Sequence, residues 1–535
     1  MAQFFMGFKP GVGPVIKDLV YDTDDPLTLS NDAYDRYYFN SETQNLSYLW
    51  DKFYFSNGFN PSVYPSSDST NGNLYVIEGS SASQARRAMT VQNYYNGQER
   101  VDGYMFYEIF ARFPEMPIVP IYEAKLMDSS GRVRVGHIDS PDGNKGREQT
   151  VRAYNADICY AEPGATGTGG NSIRGFRSIH PDLGYTGWVG RINTSPSPYS
   201  CTVTNSDSGG YYRALTCQWD LPANNAPIPA PGATPVVGQE MLRISPSIFV
   251  LTRRGFEVDN SAGRQRLIDS ARIPNMCVMM GQTDLIQANS SVYVPRRTEF
   301  PLHESMFVDT IIALQGLDFT IPAVDRTANK TGRQMRVYYR IDPNGIAFSV
   351  EGDYAVYVRY MIYATSTQAQ TSGGSAVMRS LEGGHVQIKR PGSSDNAPSG
   401  NDVLFDTRFP SVRVMNEGWI PASSFSTASV LDGQYGSHAA IVNFNGTGQF
   451  IFPKVMCNWP ARITQGFHQY VRLPNTNAWQ PTNQSCVTVV QDNRIVIHIS
   501  PGAPTTIDAS SGGFSYTLPD PIGVRYHVLS ARLAA

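Results

Sequence analysis

The chain has 535 residues and a mass of 59.0 kDa, more than one hydrophobic core organises, so several domains in series are expected. Only 17% of residues are charged, the net charge is −3, and basic residues cluster no further than Arg86-Arg87, Arg253-Arg254 and Arg296-Arg297, which excludes phosphate-driven nucleic-acid binding. No apolar run approaches the roughly 20 residues of a membrane-spanning helix. Residues 1–20 carry Gly, Pro and Lys where a secretory signal needs a continuous apolar core, so cytoplasmic synthesis without membrane insertion is expected.

Residues 34–50 open on aromatic and acidic side chains, pass through a polar turn and end in a roughly alternating run, a pattern that predicts a strand pair. A short helix is expected at residues 81–93. Asp139, Asp142 and Asn144 gather oxygen ligands around a turn, but without the ligand order of an EF-hand; a plain Pro-Asp-Gly turn in a hairpin starting at residues 132–135 accounts for them. Cys201 and Cys217 flank a Gly-Gly turn and read as one hairpin.

A second short helix is expected at residues 305–314, and the clearest hairpin follows at residues 336–350, where Asp342-Pro-Asn-Gly345 forms the turn between alternating segments. Residues 354–364, with Tyr354, Val356, Val358, Tyr360 and Ile362 on one face, read as a third strand of that sheet. Residues 401–415 repeat the strand-pair pattern of residues 34–50. A further hairpin is expected at residues 486–499 around a turn at 491–494, with closing strands at 514–518 and 524–529.

Segments poor in packing residues mark the joints: 162–171 and 391–401 read as loops, 221–233 and 364–376 as boundaries. The expected fold class is all-β, several β-sandwich or jelly-roll-like modules in series with very little helix. The divisions are an N-terminal β-module (residues 1–85), a β-rich domain with long loops (86–235), a β-sandwich (236–370) and a C-terminal β-module (371–535).

No constellation of residues spells out chemistry, and no catalytic, cofactor-binding or metal-ligating residue is assigned. The six cysteines (159, 201, 217, 277, 457 and 486) fit no zinc spacing and are expected reduced and buried. The eight histidines stand singly, and His303-Glu304 lacks the second His of a zinc-protease motif. Glu108, Glu123, Asp157, Glu162 and Glu351 are the acids available for a glycosidase-type pair. Trp188, Trp219, Trp419, Trp459 and Trp479 would stack on sugars where exposed.

Two stretches carry a resemblance: Gly383-Gly-His-Val-Gln-Ile-Lys-Arg-Pro-Gly392 and Leu404-Phe-Asp-Thr-Arg-Phe-Pro-Ser-Val-Arg-Val414. Together they resemble a small β-module of tail-tip and tail-fibre proteins of long-tailed bacteriophages. There a short hairpin precedes an aromatic, an Asp, a hydroxyl residue, a basic residue and an Arg-Val strand. Residues 1–10 and Tyr37-Tyr-Phe-Asn-Ser41 are similar to N-termini of such proteins.

The resemblance implies a virion structural protein of the tail tip, baseplate or fibre, assembled in the host cytoplasm and non-enzymatic, acting in tail assembly and host attachment. Its implied partners are other tail proteins, its own copies as a trimer, and a host-surface glycan or outer-membrane protein. The terminal modules would anchor or form the shaft, and residues 86–366 would make the contact surface. The alternatives are a phage-borne glycan depolymerase and a head or neck component.

Overall fold

The computed structural model describes residues 3–52, strand segments between residues 73 and 206, and residues 213–532 with interruptions. The fold is all-β, with 52% of residues in strands and no α-helix among those described. Both expected helices are corrected: the chain forms strands at Arg87–Tyr95 and Val308–Leu314. Every residue of Val308–Leu314 is buried, so it is a central strand with both faces covered rather than a helix with one wet side.

The local logic is plainest between residues 277 and 363. Strands Met335–Asp342 and Gly345–Gly352 form the expected hairpin, and the Asp342 carboxylate accepts the Asn344 N–H at 2.8 Å to hold the turn. Strand Val356–Tyr363 does not join that hairpin. It lies between Cys277–Gln282 and Val308–Leu314 and faces the hairpin across a core, where the Phe348 and Tyr360 rings are 5.1 Å apart. Alternation put the right residues inside, because Val337, Tyr339, Val356, Val358, Tyr360 and Ile362 share one apolar cluster.

The same plan recurs three times. In each of three domains, running from residues 48 to 222, 277 to 363 and 413 to 531, the last strand lies between the first and a middle one: Arg213–Pro222 between Tyr48–Lys52 and Pro120–Met127, Val356–Tyr363 as above, and Gly523–Ala531 between Arg413–Pro421 and Phe450–Trp459. The second layer also recurs: Ser291–Pro295 pairs with Gly345–Gly352, which pairs with Met335–Asp342. In the third domain His438–Asn443 pairs with Arg494–Ser500, which pairs with Ser485–Gln491, the expected late hairpin.

Three readings are corrected by this plan. Cys201 and Cys217 do not share a hairpin, since Tyr199–Ser206 pairs with Gln98–Tyr107 whereas Arg213–Pro222 joins the first domain's trio. Nor do residues 34–50 or 401–415 form strand pairs: in the first stretch Tyr37–Asn40 pairs with Gly13–Leu19 and Tyr48–Lys52 with Arg213–Pro222. In the second, Val403–Asp406 pairs with Val386–Lys389, and Arg413–Pro421 runs on into another sheet.

The domains are stitched in a circle. Val133–Asp139 of the first pairs with Met335–Asp342 of the second, Phe319–Ile321 of the second with Ser485–Gln491 of the third, and Phe467–Arg472 of the third with Gln149–Tyr154 of the first. One buried cluster joins all three: Lys454 Nζ lies 2.7 Å from Asp309 Oδ2 and 4.2 Å from the centre of the Trp219 ring. Tyr363 donates its hydroxyl to the same Asp309 oxygen at 2.8 Å. Burial raises the Tyr363 pKa well above normal, so that donor keeps its proton.

Candidate assembly hub

Each domain is preceded by a small three-stranded antiparallel module. The first consists of Gln3–Lys9, Gly13–Leu19 and Tyr37–Asn40, and the second of Leu242–Ile244, Phe249–Thr252 and Arg266–Asp269. Met378–Ser380, Val386–Lys389 and Val403–Asp406 make the third. The pairing register is the same in all three. Lys17, Val250 and Gln387 face Asn40, Asp269 and Asp406; Asp18, Leu251 and Ile388 face Phe39, Ile268 and Phe405. A register shift then follows at the same place, setting Leu19, Thr252 and Lys389 opposite Tyr37, Arg266 and Val403.

A triplet of apolar, Asx and hydroxyl residues produces this geometry: Phe39-Asn40-Ser41, Ile268-Asp269-Ser270 and Phe405-Asp406-Thr407. The Asx side chain turns the chain by accepting the N–H two residues on, from Glu42 at 3.0 Å, Ala271 at 2.9 Å and Arg408 at 3.0 Å. The hydroxyl accepts a backbone N–H of the middle strand, from Ile16 at 2.9 Å, Phe249 at 3.0 Å and Val386 at 3.0 Å. The apolar member points into a core common to the modules, where Phe39 and Phe405 stand 5.4 Å apart beside Ile16, Phe249, Leu251 and Ile388.

Beyond the triplets the chain again closes a circle. Asn45 and Leu46 lie opposite Val414 and Arg413, Ile273 and Pro274 opposite Leu49 and Tyr48, and Met276 opposite Ser411. Backbone bonds fix these joints: Ser47 N–H to Val412 O at 2.8 Å, Asn275 N–H to Ser47 O at 2.8 Å, and Cys277 N–H to Pro410 O at 3.3 Å.

The modules differ in buried charge. Asp18 occupies the position of Leu251 and Ile388, and burial, with Asp406 nearby, pushes its carboxyl pKa well up. Lys17, also buried, lies 2.6 Å from Glu42, which Lys9 reaches at 2.8 Å. Arg413, at the joint of first and third modules, donates to Tyr38 O at 2.8 Å and Gln44 Oε1 at 2.7 Å; burial lowers its pKa to about 9. Glu417 pairs with Arg264 and lies 2.9 Å from His527 Nδ1; burial raises its pKa, but His527 and Arg264 pull it down to about 2.

Glu351 pairs with Arg132 at 2.6 Å, Glu123 and Glu162 lie on strands of different sheets, and Glu108 and Asp157 fall outside the described residues. Trp219 is fully buried, Trp419 is half-buried, and Trp188 is outside the described residues, as are most of the Asp139–Asn144 turn and Cys159. Cys217, Cys277, Cys457 and Cys486 are buried thiols. Among the described residues no cluster of His, Cys, Asp or Glu suits a metal ion, and no helix is long and apolar enough to cross a membrane.

The middle triplet, Ile268-Asp269-Ser270, escaped the sequence reading, although the pattern of apolar, Asx and hydroxyl residues was there to find it. No protein-family model, curated protein or solved structure matches the chain.

Proposed function

We propose that this chain is a virion structural protein of a phage tail tip, baseplate or fibre, acting in tail assembly and host attachment. The observation that carries the reading is the hub. The residues behind the resemblance, 383–392 and 404–414, lie in and directly after the third copy of a module that builds one shared core and one closed ring of backbone pairing. Such an element presents rigid, backbone-defined edges rather than a nucleophile, a base or a ligand pocket. It suits a scaffold that positions other proteins.

Gold-labelled antibody against the chain, applied to intact particles, tests the proposal. Labelling confined to the tail end distal to the head is expected. Labelling at the head or neck, or of no particle at all, would overturn it.

A further inference from the structure

A threefold repeat is present within this one chain. Three modules share one register, one bulge position and one set of hydroxyl and Asx bonds. Their exit segments pair cyclically, third with first, first with second, second with third. The domains beneath repeat the cycle through three further strand pairings.

Head-to-tail contacts between equivalent units either run on as a filament or close as a ring, and a closed ring leaves no such contact for an additional unit. Here the ring closes at three, and Arg413, buried at the joint of first and third modules where it donates to Tyr38 O and Gln44 Oε1, fixes which unit adjoins which.

We infer that a single copy of this chain occupies the threefold axis of a ring built from a different protein. Each of its three modules meets one identical subunit of that ring. The identity of the ring rests on the tail-tip reading; the copy number does not.

Two measurements on the full chain test this. Light scattering of the purified protein over a range of concentrations should return the 59.0 kDa monomer throughout. A stable species of three chains would overturn the inference. In purified particles, mass spectrometry calibrated against packaged genome should count one copy per particle, and a count of three or six would overturn it. Absence from particles would sink the tail-tip reading, while the mass in solution still decides whether the ring is complete in one chain.

The modules supply a third arm. Phe8, Ile244 and Met378 are 68%, 45% and 49% exposed and lie one on the first strand of each module. Particles carrying Phe8→Cys, Ile244→Cys or Met378→Cys, treated with a short thiol-to-amine cross-linker, should each join the chain to the same partner protein. Three different partners would contradict the inference.

Discussion

The hub and the junction between the domains are both buried, yet they are held together in different ways. The hub uses bonds addressed to the backbone, repeated in each module: a hydroxyl to an N–H, and an Asx oxygen to an N–H two residues on. The junction uses one cluster that occurs once, with Asp309 from the second domain, Lys454 from the third and Trp219 from the first. Bonds to the backbone define a shape without caring which core residue sits beside them, so Asp18 and Leu251 occupy the same place in two modules. Bonds between particular side chains define which unit neighbours which. Repetition therefore supplies the form, and the exceptions supply the order.

The largest expected effect comes from breaking the part that occurs once. Lys454→Met leaves the Asp309 carboxylate buried beside Tyr363 without its cation, and a loss of about 3–5 kcal/mol is expected by denaturant unfolding. Adding Asp309→Asn to Lys454→Met should recover much of that loss, because the cost lies in the uncompensated charge. A double variant no better than the single would show that Lys454 acts through packing on Trp219 instead.

A smaller effect, repeated across the modules, is expected at the hydroxyls. Ser41→Ala and Ser270→Ala each strand a buried backbone N–H, of Ile16 and Phe249, and each should cost about 1–3 kcal/mol in the same unfolding assay. Thr407 is less buried than either serine, so Thr407→Val should cost less. Widely unequal costs at Ser41 and Ser270 would mean that the two modules are alike in outline but not in energetics.

The smallest effect sharpens the difference between modules and has a pH signature. Burial raises the Asp18 pKa, so the folded chain keeps a proton that the unfolded chain loses above about 3.9. The folded state then binds more protons, and stability falls as pH rises from that value toward the raised pKa. Asp18→Asn removes this decline, so the variant should gain on the wild type as pH rises from 4 to 7. A parallel pair of pH–stability curves would place the Asp18 carboxyl in contact with water.

The strands were largely legible from alternation, and so was the turn at Asp342-Pro-Asn-Gly345, because hairpin chemistry is local. Two of the three hub triplets were visible in residues 34–50 and 401–415 as one recurring unit. The middle copy is hidden because it lacks the aromatic opening of the other two: Arg264-Gln-Arg-Leu-Ile-Asp-Ser270 is basic and aliphatic. The fold requires only an apolar residue, an Asx and a hydroxyl. Val308–Leu314 misled for a related reason: a strand buried on both faces has no period of two to betray it. The circular stitching left no trace in the sequence, since pairing between distant strands imposes no spacing on either one.

The joint between Leu46 and Arg413 also sets a timetable for synthesis. About 370 residues separate the two strands, which at roughly 5–20 residues per second keeps the ribosome busy for ~20–70 s before the partner emerges. Throughout that interval the nascent N-terminal repeat carries an open edge of the kind that recruits stray strands. The third repeat thus acts as a clasp fastened last, and a chain truncated before residue 413 would leave the ribosome with that edge permanently exposed.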